Sequence, residues 1–340
     1  MSNNREVDNR VFHSVGVALT PRTFPATNAD DTTDMFRLGG AVGDVAAFIY
    51  PWSQPNLLTA AATMVSLSQQ HHLAPMLGLG VTTLGNDRKD LDVPPRVRAA
   101  AGPNPSFAQA VVRNAFFQDV ASLAALKPPY LCLATEINFL GIANPAEYAA
   151  FTAAYKVAYA LVKQISPETN VFVSFQWDVQ VYLDVVDPNS LAGHTALIDA
   201  FRPQLDAIVL TSYPSGMYAT PADMPTSYYQ HVYAHVRTDE PVMFMEMGWP
   251  TEGSGTEADQ VAFIQRLPDM LSGIRPLAVV WALLHDISVL PGDQFRTGLR
   301  ASDGRPKLGY EAFSQLQHAT ISSAAPRGAS AVDMPAAFVA

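Results

Sequence analysis

The chain has 340 residues, of which 49% are hydrophobic, so it is long enough to bury a large core. Only 15% of its residues are charged, and its formal net charge is −10. A strongly acidic chain lacks the basic surface that nucleic acids require and is poorly suited to anionic membranes. This charge balance is compatible with an uncharged ligand.

The sequence contains no membrane-spanning or disulfide signal. No run of 18 or more apolar residues is present, so no transmembrane helix is expected. Met1 to Arg10 are polar, unlike a signal peptide, and the protein is expected to be cytoplasmic or exported after removal of a signal. The single cysteine, Cys132, excludes an intrachain disulfide and a cysteine metal cluster. Its place in an apolar run predicts a buried small hydrophobic residue.

From Val11 onward, short apolar runs alternate with longer amphipathic segments. This alternation predicts a parallel sheet, and eight repeats of it predict a single (β/α)8 TIM barrel of the α/β class. Strands are predicted at 12–19, 44–50, 73–80, 129–135, 170–176, 206–212, 241–246 and 278–284. Helices are predicted at 30–42, 56–71, 105–126, 145–165, 190–201, 221–236, 256–273 and 307–319. We expect a flexible N-terminus at 1–10, the barrel at 11–320 and a tail at 321–340.

Two of the predicted strands end in a glutamate, Glu136 on strand 4 and Glu246 on strand 7. The carboxyl ends of the strands in a parallel barrel share the face where active sites lie. An eight-stranded barrel is only wide enough for side chains to fill, so long side chains from non-adjacent strands can meet there. Two facing carboxylates are the groups that hydrolyse glycosidic bonds, with the acid's pKa raised by its partner. A lone glutamate at a strand end is equally explained by a helix cap or an ion pair with arginine.

Aromatic residues cluster at or near the predicted strand ends. Flat rings can bury the C–H faces of a sugar, although they can also simply fill the top of a barrel. The candidate substrate-binding aromatics are Tyr50, Trp52, Trp177, Tyr213, Trp249 and Trp281. Tyr213 is also expected to hydrogen-bond to the Glu246 carboxylate. Polar candidates are His285, which contacts substrate or anchors its loop, and Gln176 and Asp178, which contact hydroxyls or lie in solvent.

Several of these motifs resemble a known family. Glu136-Ile137-Asn138 after an apolar strand resembles the acid/base motif of the large clan of retaining glycosidases with barrel folds. Residues 244–250 resemble the nucleophile motif Glu-Thr-Gly-Trp-Pro of its β-1,3-glucanase and arabinogalactan endo-β-1,4-galactanase families. Residues 206–214 are similar to strand 6 of the galactanases, and Trp281 is similar to the tryptophan that the clan places beneath the sugar.

The resemblance implies a retaining O-glycoside hydrolase that cleaves a β-linked poly- or oligosaccharide by double displacement. Glu136 would be the acid/base and Glu246 the nucleophile. The implied partner is a carbohydrate, without nucleic acid, membrane or cofactor. The sugar, its linkage, endo or exo attack and the oligomeric state are left open.

Two positions depart from the clan's pattern. The clan has an asparagine before the acid/base, where this chain has Thr135, and Asn138 is a candidate to replace that amide. The clan also often carries a strand 2 arginine, which residues 45–52 lack. These departures indicate altered specificity or loss of activity. The alternatives are therefore a carbohydrate-binding barrel without catalysis, or a transglycosylase using the same site.

One histidine pair has spacing compatible with a metal. His231 and His235 lie four residues apart on the predicted helix 221–236, which is expected to lie outside the barrel and away from the catalytic face. A zinc site needs a third ligand aimed at the same point, and none is apparent. Both histidines are therefore expected to lie on the surface, and no metal site is predicted.

Overall fold

The computed structural model describes residues 10–237 and 239–319, so most of the predicted N-terminal segment and the whole predicted tail lie outside the described residues. The strands are β1 Ser14–Ala18, β2 Val45–Pro51, β3 Ala74–Gly80, β4 Tyr130–Cys132, β5 Asn170–Phe172, β6 Ser174–Gln176, β7 Ile208–Ser212, β8 Val242–Met247 and β9 Ala278–Trp281. The α-helices are α1 Ala29–Gly40, α2 Leu57–Gln70, α3 Pro95–Ala101, α4 Ala110–Ala124, α5 Asn138–Ala143, α6 Pro145–Ile165, α7 Trp177–Val186, α8 Leu191–Asp199, α9 Glu257–Leu271 and α10 Leu308–Ser314. Within the described ranges, none of the helices has the length and apolar character needed to cross a membrane.

The parallel strands form a closed barrel. Their order is β5-β4-β3-β2-β1-β9-β8-β7-β6. β5 and β6 are separated by Val173 alone, so the two ends of this order are parts of one strand. Bonds from Leu133 N–H to Phe172 O (2.8 Å) and from Ser174 N–H to Ala134 O (3.0 Å) continue the pairing past the interruption. The predicted (β/α)8 barrel is confirmed.

The strand residues separate into two apolar layers, one inside the barrel and one beneath the helices. The inner layer contains Ala18, Val45, Ala47, Met76, Cys132, Phe172, Ala207, Val209, Met243, Met245, Ala278 and Val280. The alternate strand residues pack outward against the helices. Cys132 is fully buried, as predicted, and burial raises the pKa of its thiol to about 12, with the Glu246 charge adding a smaller effect.

A β-bulge in β8 interrupts this alternation. Leu210 pairs with Phe244, but the next residue, Thr211, pairs with Glu246, so Met245 is an extra residue on β8. Met243 and Met245 both point into the barrel. Regular alternation would therefore turn Glu246 outward toward the helices, and the bulge brings it to the same face as Thr211 instead.

The segment 221–236 differs from its prediction. Instead of one α-helix it forms two 3-10 helices, Pro221–Asp223 and Tyr228–Ala234. Pro225 lacks an amide hydrogen and holds the residue before it in extended conformation, which prevents a continuous helix.

The predicted surroundings of this segment are also wrong. Tyr229 hydroxyl lies 3.0 Å from the Ser212 hydroxyl at the carboxyl end of β7, so the segment reaches the catalytic side. His235 is only 2% exposed and His231 is half-buried, so neither lies freely on the surface as expected. Both rings contact Asp184.

Trp52 belongs to an aromatic cluster in the helical layer. It is fully buried, stacks on Phe107 at 5.7 Å between ring centroids and meets the edge of Phe116. Its Nε1–H donates to Asp119 Oδ2 at 2.9 Å. The side chain has no exposed surface, so the prediction that Trp52 binds substrate is wrong.

Replacing Trp52 therefore tests packing. Trp52→Ala is expected to lower the free energy of unfolding by about 3–5 kcal/mol, because it removes a fully buried aromatic side chain. Chemical denaturation would measure this, with Leu84→Ala as control because Leu84 is 71% exposed. Equal unfolding midpoints for the two variants would contradict the assigned role.

Candidate active site

Glu136 follows β4 in an unusual backbone conformation. Its φ is +50°, the left-handed region that a residue with a side chain adopts at a cost of about 1–3 kcal/mol. Two bonds to Ser174 hold it there: Glu136 N–H donates to Ser174 Oγ (2.9 Å) and Ile137 N–H donates to Ser174 O (2.9 Å). The direction of the Glu136 side chain is thus set by β6.

Glu136 and Glu246 converge at the mouth of the barrel. Thr211 Oγ1 donates to Glu136 Oε1 at 2.8 Å, and Thr211 is the residue paired with Glu246 on the neighbouring strand. Neighbouring strands lie about 4.8 Å apart, so the Glu136 carboxylate reaches the residue beside Glu246. Tyr213 hydroxyl donates to Glu246 Oε2 at 2.6 Å, the hydrogen bond that the sequence predicted.

The electrostatics of the pair differ from the expectation. Burial, followed by the negative charge of Glu136, raises the pKa of Glu246 to about 7, while the Tyr213 hydrogen bond and the Arg88 charge act against this rise. Two facing carboxylates do not readily ionise together, and this repulsion adds to the effect of burial on Glu246. The predicted acid is Glu136, yet the raised pKa is that of the predicted nucleophile.

Arg88 brings a positive charge to the pair. Its guanidinium donates to Glu136 Oε2 in an ion pair and lies over the Phe139 ring, 5.6 Å from the ring centroid. Arg88 is on a 3-10 turn in the long loop after β3, where Asp87 and Arg88 both have positive φ. Sequence reasoning missed this residue, although the length of the loop and the absent strand 2 arginine were signals of it.

Asp178 fixes the backbone of Tyr213. The buried Asp178 carboxylate accepts from the backbone N–H of Tyr213 (2.6 Å), from Ser212 Oγ (2.9 Å) and from Tyr228 hydroxyl (2.6 Å). Burial raises the pKa of Asp178, and these bonds oppose the rise. A Cβ at Gly248 would lie 2.9 Å from Tyr213 Cε1, so glycine is needed there for the ring to lie close. Asp178 is therefore a buried support for Tyr213.

Two predicted substrate contacts have other structural roles. Asn138 is fully buried, donating from Nδ2 to Gln176 O (3.0 Å) and accepting at Oδ1 from Gln176 N–H (2.8 Å). Its amide is unavailable to a sugar, so the prediction that it replaces the clan's asparagine is wrong. Trp281 is also wrongly predicted, because it packs outward on Phe263 and Phe313 and does not underlie the site.

Three further aromatics are buried in packing contacts. Trp177 and Trp249 are fully buried, the first beside the His231 and His235 rings and the second against Phe263, so both predictions of substrate contact are wrong. Tyr50 packs in the outer layer at 9% exposure. Of the predicted aromatics, Tyr213 has a hydrogen bond to the pair.

His285 has the anchoring role, one of its two predicted possibilities. Its Nδ1–H donates to Thr20 O (2.8 Å), and its backbone N–H donates to Thr20 Oγ1 (2.8 Å). Burial lowers the pKa of its imidazole. Both contacts tie the segment that follows β9 to the loop after β1.

Several solved structures are similar to this chain along most of its length. The GH5_18 variant from Streptomyces cattleya in complex with Manb1-4GlcNAc has a TM-score of 0.70 at 17% identity, over 92% of this chain and 82% of that one. The exo-beta-1,4-mannosidase of Opitutaceae bacterium strain TAV5 gives 0.67 at 15% identity, over 91% and 60%. Xylanase 10B of Thermotoga maritima gives 0.63 at 10% identity, over 91% and 95%.

This chain has their fold. The barrel inferred from the resemblance is thereby confirmed at the level of fold. No protein-family model matches the sequence. No curated protein matches it either.

The raised pKa of Glu246 predicts a pH-dependent stability. Its contribution is full below the ordinary glutamate pKa of 4.5 and is lost as pH rises through about 7. Wild-type unfolding free energy should therefore fall, relative to Glu246→Gln, by up to about 3 kcal/mol between pH 5 and pH 8.

Denaturant titrations at several pH values measure this difference. Glu168→Gln, at an exposed position, serves as the matched control and should follow the wild type. Parallel pH profiles for wild type and Glu246→Gln would contradict the raised pKa.

Proposed function

We propose that this protein is a retaining O-glycoside hydrolase acting on a β-linked poly- or oligosaccharide. The convergence of Glu136 and Glu246 on Thr211 supports this most strongly, since retaining hydrolysis needs two carboxyl groups about 5–5.5 Å apart. The fold adds support, because two similar structures are a mannosidase and a xylanase and a third holds a mannose-containing disaccharide.

In the proposed reaction, ionised Glu246 attacks the anomeric carbon while Tyr213 keeps its carboxylate in place. Protonated Glu136 gives its proton to the leaving oxygen, so the glycosidic bond breaks as the glycosyl-enzyme bond forms. Glu136 then takes a proton from water, which attacks the anomeric carbon and releases Glu246.

This reaction needs a proton on Glu136, whereas the carboxyl group with the raised pKa is that of Glu246. Arg88 forms an ion pair with the Glu136 carboxylate in the structure. We therefore propose that the entering sugar displaces Arg88 from Glu136, after which the proton passes from Glu246 to Glu136. Arg88 is thus a positioning residue on a loop that can respond to substrate.

A second function, carbohydrate binding without catalysis, is favoured by two observations. The Arg88 ion pair occupies the acid/base, and Asn138 does not supply the amide that Thr135 lacks. Such a protein would bind sugars but would not turn them over.

Azide rescue tests the roles of the two glutamates. Each glutamate→Ala variant is expected to lose at least about 1,000-fold in kcat on the best substrate from a panel of aryl β-mannosides, β-xylosides, β-glucosides and β-galactosides. Azide should give a β-glycosyl azide with Glu136→Ala and an α-glycosyl azide with Glu246→Ala. Glu168→Ala, at an exposed site, is the control.

The product configuration, read by NMR, separates the outcomes. The reversed pattern would exchange the two roles. Binding by wild type without turnover of any substrate would favour the carbohydrate-binding function.

Replacement of Arg88 tests its electrostatic role. The positive charge of Arg88 lowers the pKa of Glu246. Arg88→Ala is therefore expected to move the acid limb of the kcat/KM profile to higher pH, because the two carboxyl groups lose a nearby positive charge that favours ionisation. Arg88→Lys keeps the charge and should stay close to wild type. An unchanged acid limb in Arg88→Ala would show that Arg88 does not influence the pair.

A further inference from the structure

Away from the two glutamates, three histidine side chains surround one buried carboxylate, that of Asp184. Asp184 lies on α7, His194 on α8, and His231 and His235 on the 3-10 helix Tyr228–Ala234 or directly after it. Asp184 Oδ2 is 3.0 Å from His231 Nε2 and 2.7 Å from His235 Nε2, and its Oδ1 is 2.7 Å from His194 Nδ1. Asp184 is 5% exposed, so the carboxylate is buried among the three rings.

The donor set matches the chemistry of zinc. Two imidazole nitrogens and a carboxylate oxygen, from His231, His235 and Asp184, all lie within 4.8 Å of one another. With zinc bonds of about 2.0–2.1 Å, tetrahedral ligand atoms lie about 3.3 Å apart. The distances from Asp184 Oδ2 to the His231 and His235 nitrogens need to grow by about 0.3 and 0.6 Å to admit the ion.

The surrounding contacts suit metal ligands. A ring that binds through Nε2 carries its hydrogen on Nδ1, and Thr195 Oγ1 lies 2.8 Å from His235 Nδ1, ready to accept it. His194 lies between Asp184 and Ser190 and fixes the second carboxylate oxygen. His231 is half-buried, which leaves a route from solvent.

A buried polar atom beside the cluster lacks a partner. Gln180 is fully buried and donates from Nε2 to Asp184 Oδ1 at 3.2 Å. Its carbonyl oxygen has no hydrogen-bond partner among the described residues. A water molecule in the fourth position of a zinc ion is a donor that can satisfy such an acceptor.

We propose that Asp184, His231 and His235 form a site for Zn²⁺ or a similar first-row divalent cation, with water completing the coordination. The site is structural. It joins α7 to the 3-10 helix, whose Tyr228 bonds to Asp178 on the same α7. A cation would therefore brace the segment that supports Tyr213, and the proposal holds whether or not the protein hydrolyses sugars.

Cobalt binding to the full chain, free of any affinity tag and stripped with a chelator, tests the site. Wild type is expected to bind one equivalent of Co²⁺ with visible ligand-field absorption, to release it to Zn²⁺, and to melt several degrees higher with Zn²⁺. His231→Ala should lower the affinity at least tenfold, and its partial exposure favours correct folding. His318→Ala, which removes an exposed histidine, is the matched control.

The wild-type titration decides the matter even if a variant misfolds. Absence of Co²⁺ absorption and of a Zn²⁺ effect on melting in wild type would overturn the proposal. Equal Co²⁺ affinity in wild type and in folded His231→Ala would overturn it as well. Loss of binding in His231→Ala, with His318→Ala unchanged, supports it.

Discussion

The geometry of the candidate site depends on one extra residue in β8. Met245 breaks the alternation of the strand, and only because of this bulge does Glu246 share a face with Thr211. The extra side chain is accommodated inside the barrel, where a Cβ at Gly78 on β3 would already lie 3.3 Å from Met245 Cε. Because Gly78 has no side chain, there is room for Met245, the extra residue whose presence turns Glu246 toward Thr211. Bulges often redirect side chains in this way beside functional sites.

Once the two carboxylates meet, their charges become the next constraint. Placing Glu246 in a poorly solvated position beside Glu136 disfavours its ionisation, and Arg88 forms its ion pair with Glu136. The site therefore holds two carboxyl groups and one guanidinium. The position of the guanidinium relative to the two carboxyl groups therefore affects how readily each one ionises. The loop that carries Arg88 is consequently as important to the chemistry as the strands that carry the glutamates.

The features that depend on strand order were predictable from the sequence. The eight βα repeats, the meeting of Glu136 with Glu246 and the Tyr213 hydrogen bond all follow from strands whose carboxyl ends share one face. The tryptophans were not predictable in the same way, because a shift of one residue in a strand turns a side chain from the barrel to the helices. Trp281 is such a case, since it lies one residue after the inward-facing Val280.

Contacts between residues far apart in the chain could not be predicted from the sequence pattern. Arg88 reaches Glu136 from a loop, and a loop has no periodicity from which its direction can be read. The His231 and His235 pair was visible, but its third partner, Asp184, is 47 positions from His231 on another element. The predicted helix 221–236 also gave the wrong surroundings for the two histidines, because an α-helix across Pro225 would have placed both rings differently.

Helix α7 connects these two parts of the molecule. It presents two buried carboxylates, Asp178 near its start and Asp184 near its end, and the same 3-10 helix serves both through Tyr228 and the two histidines. A helix fixed at two points cannot rotate about its axis without breaking one set of bonds. Asp178 therefore stays where it accepts from the Tyr213 backbone, and Tyr213 stays where its hydroxyl reaches Glu246. Loosening the Asp184 cluster should be felt first in the orientation of Tyr213, well before the barrel itself is disturbed, because the barrel strands are paired independently of α7.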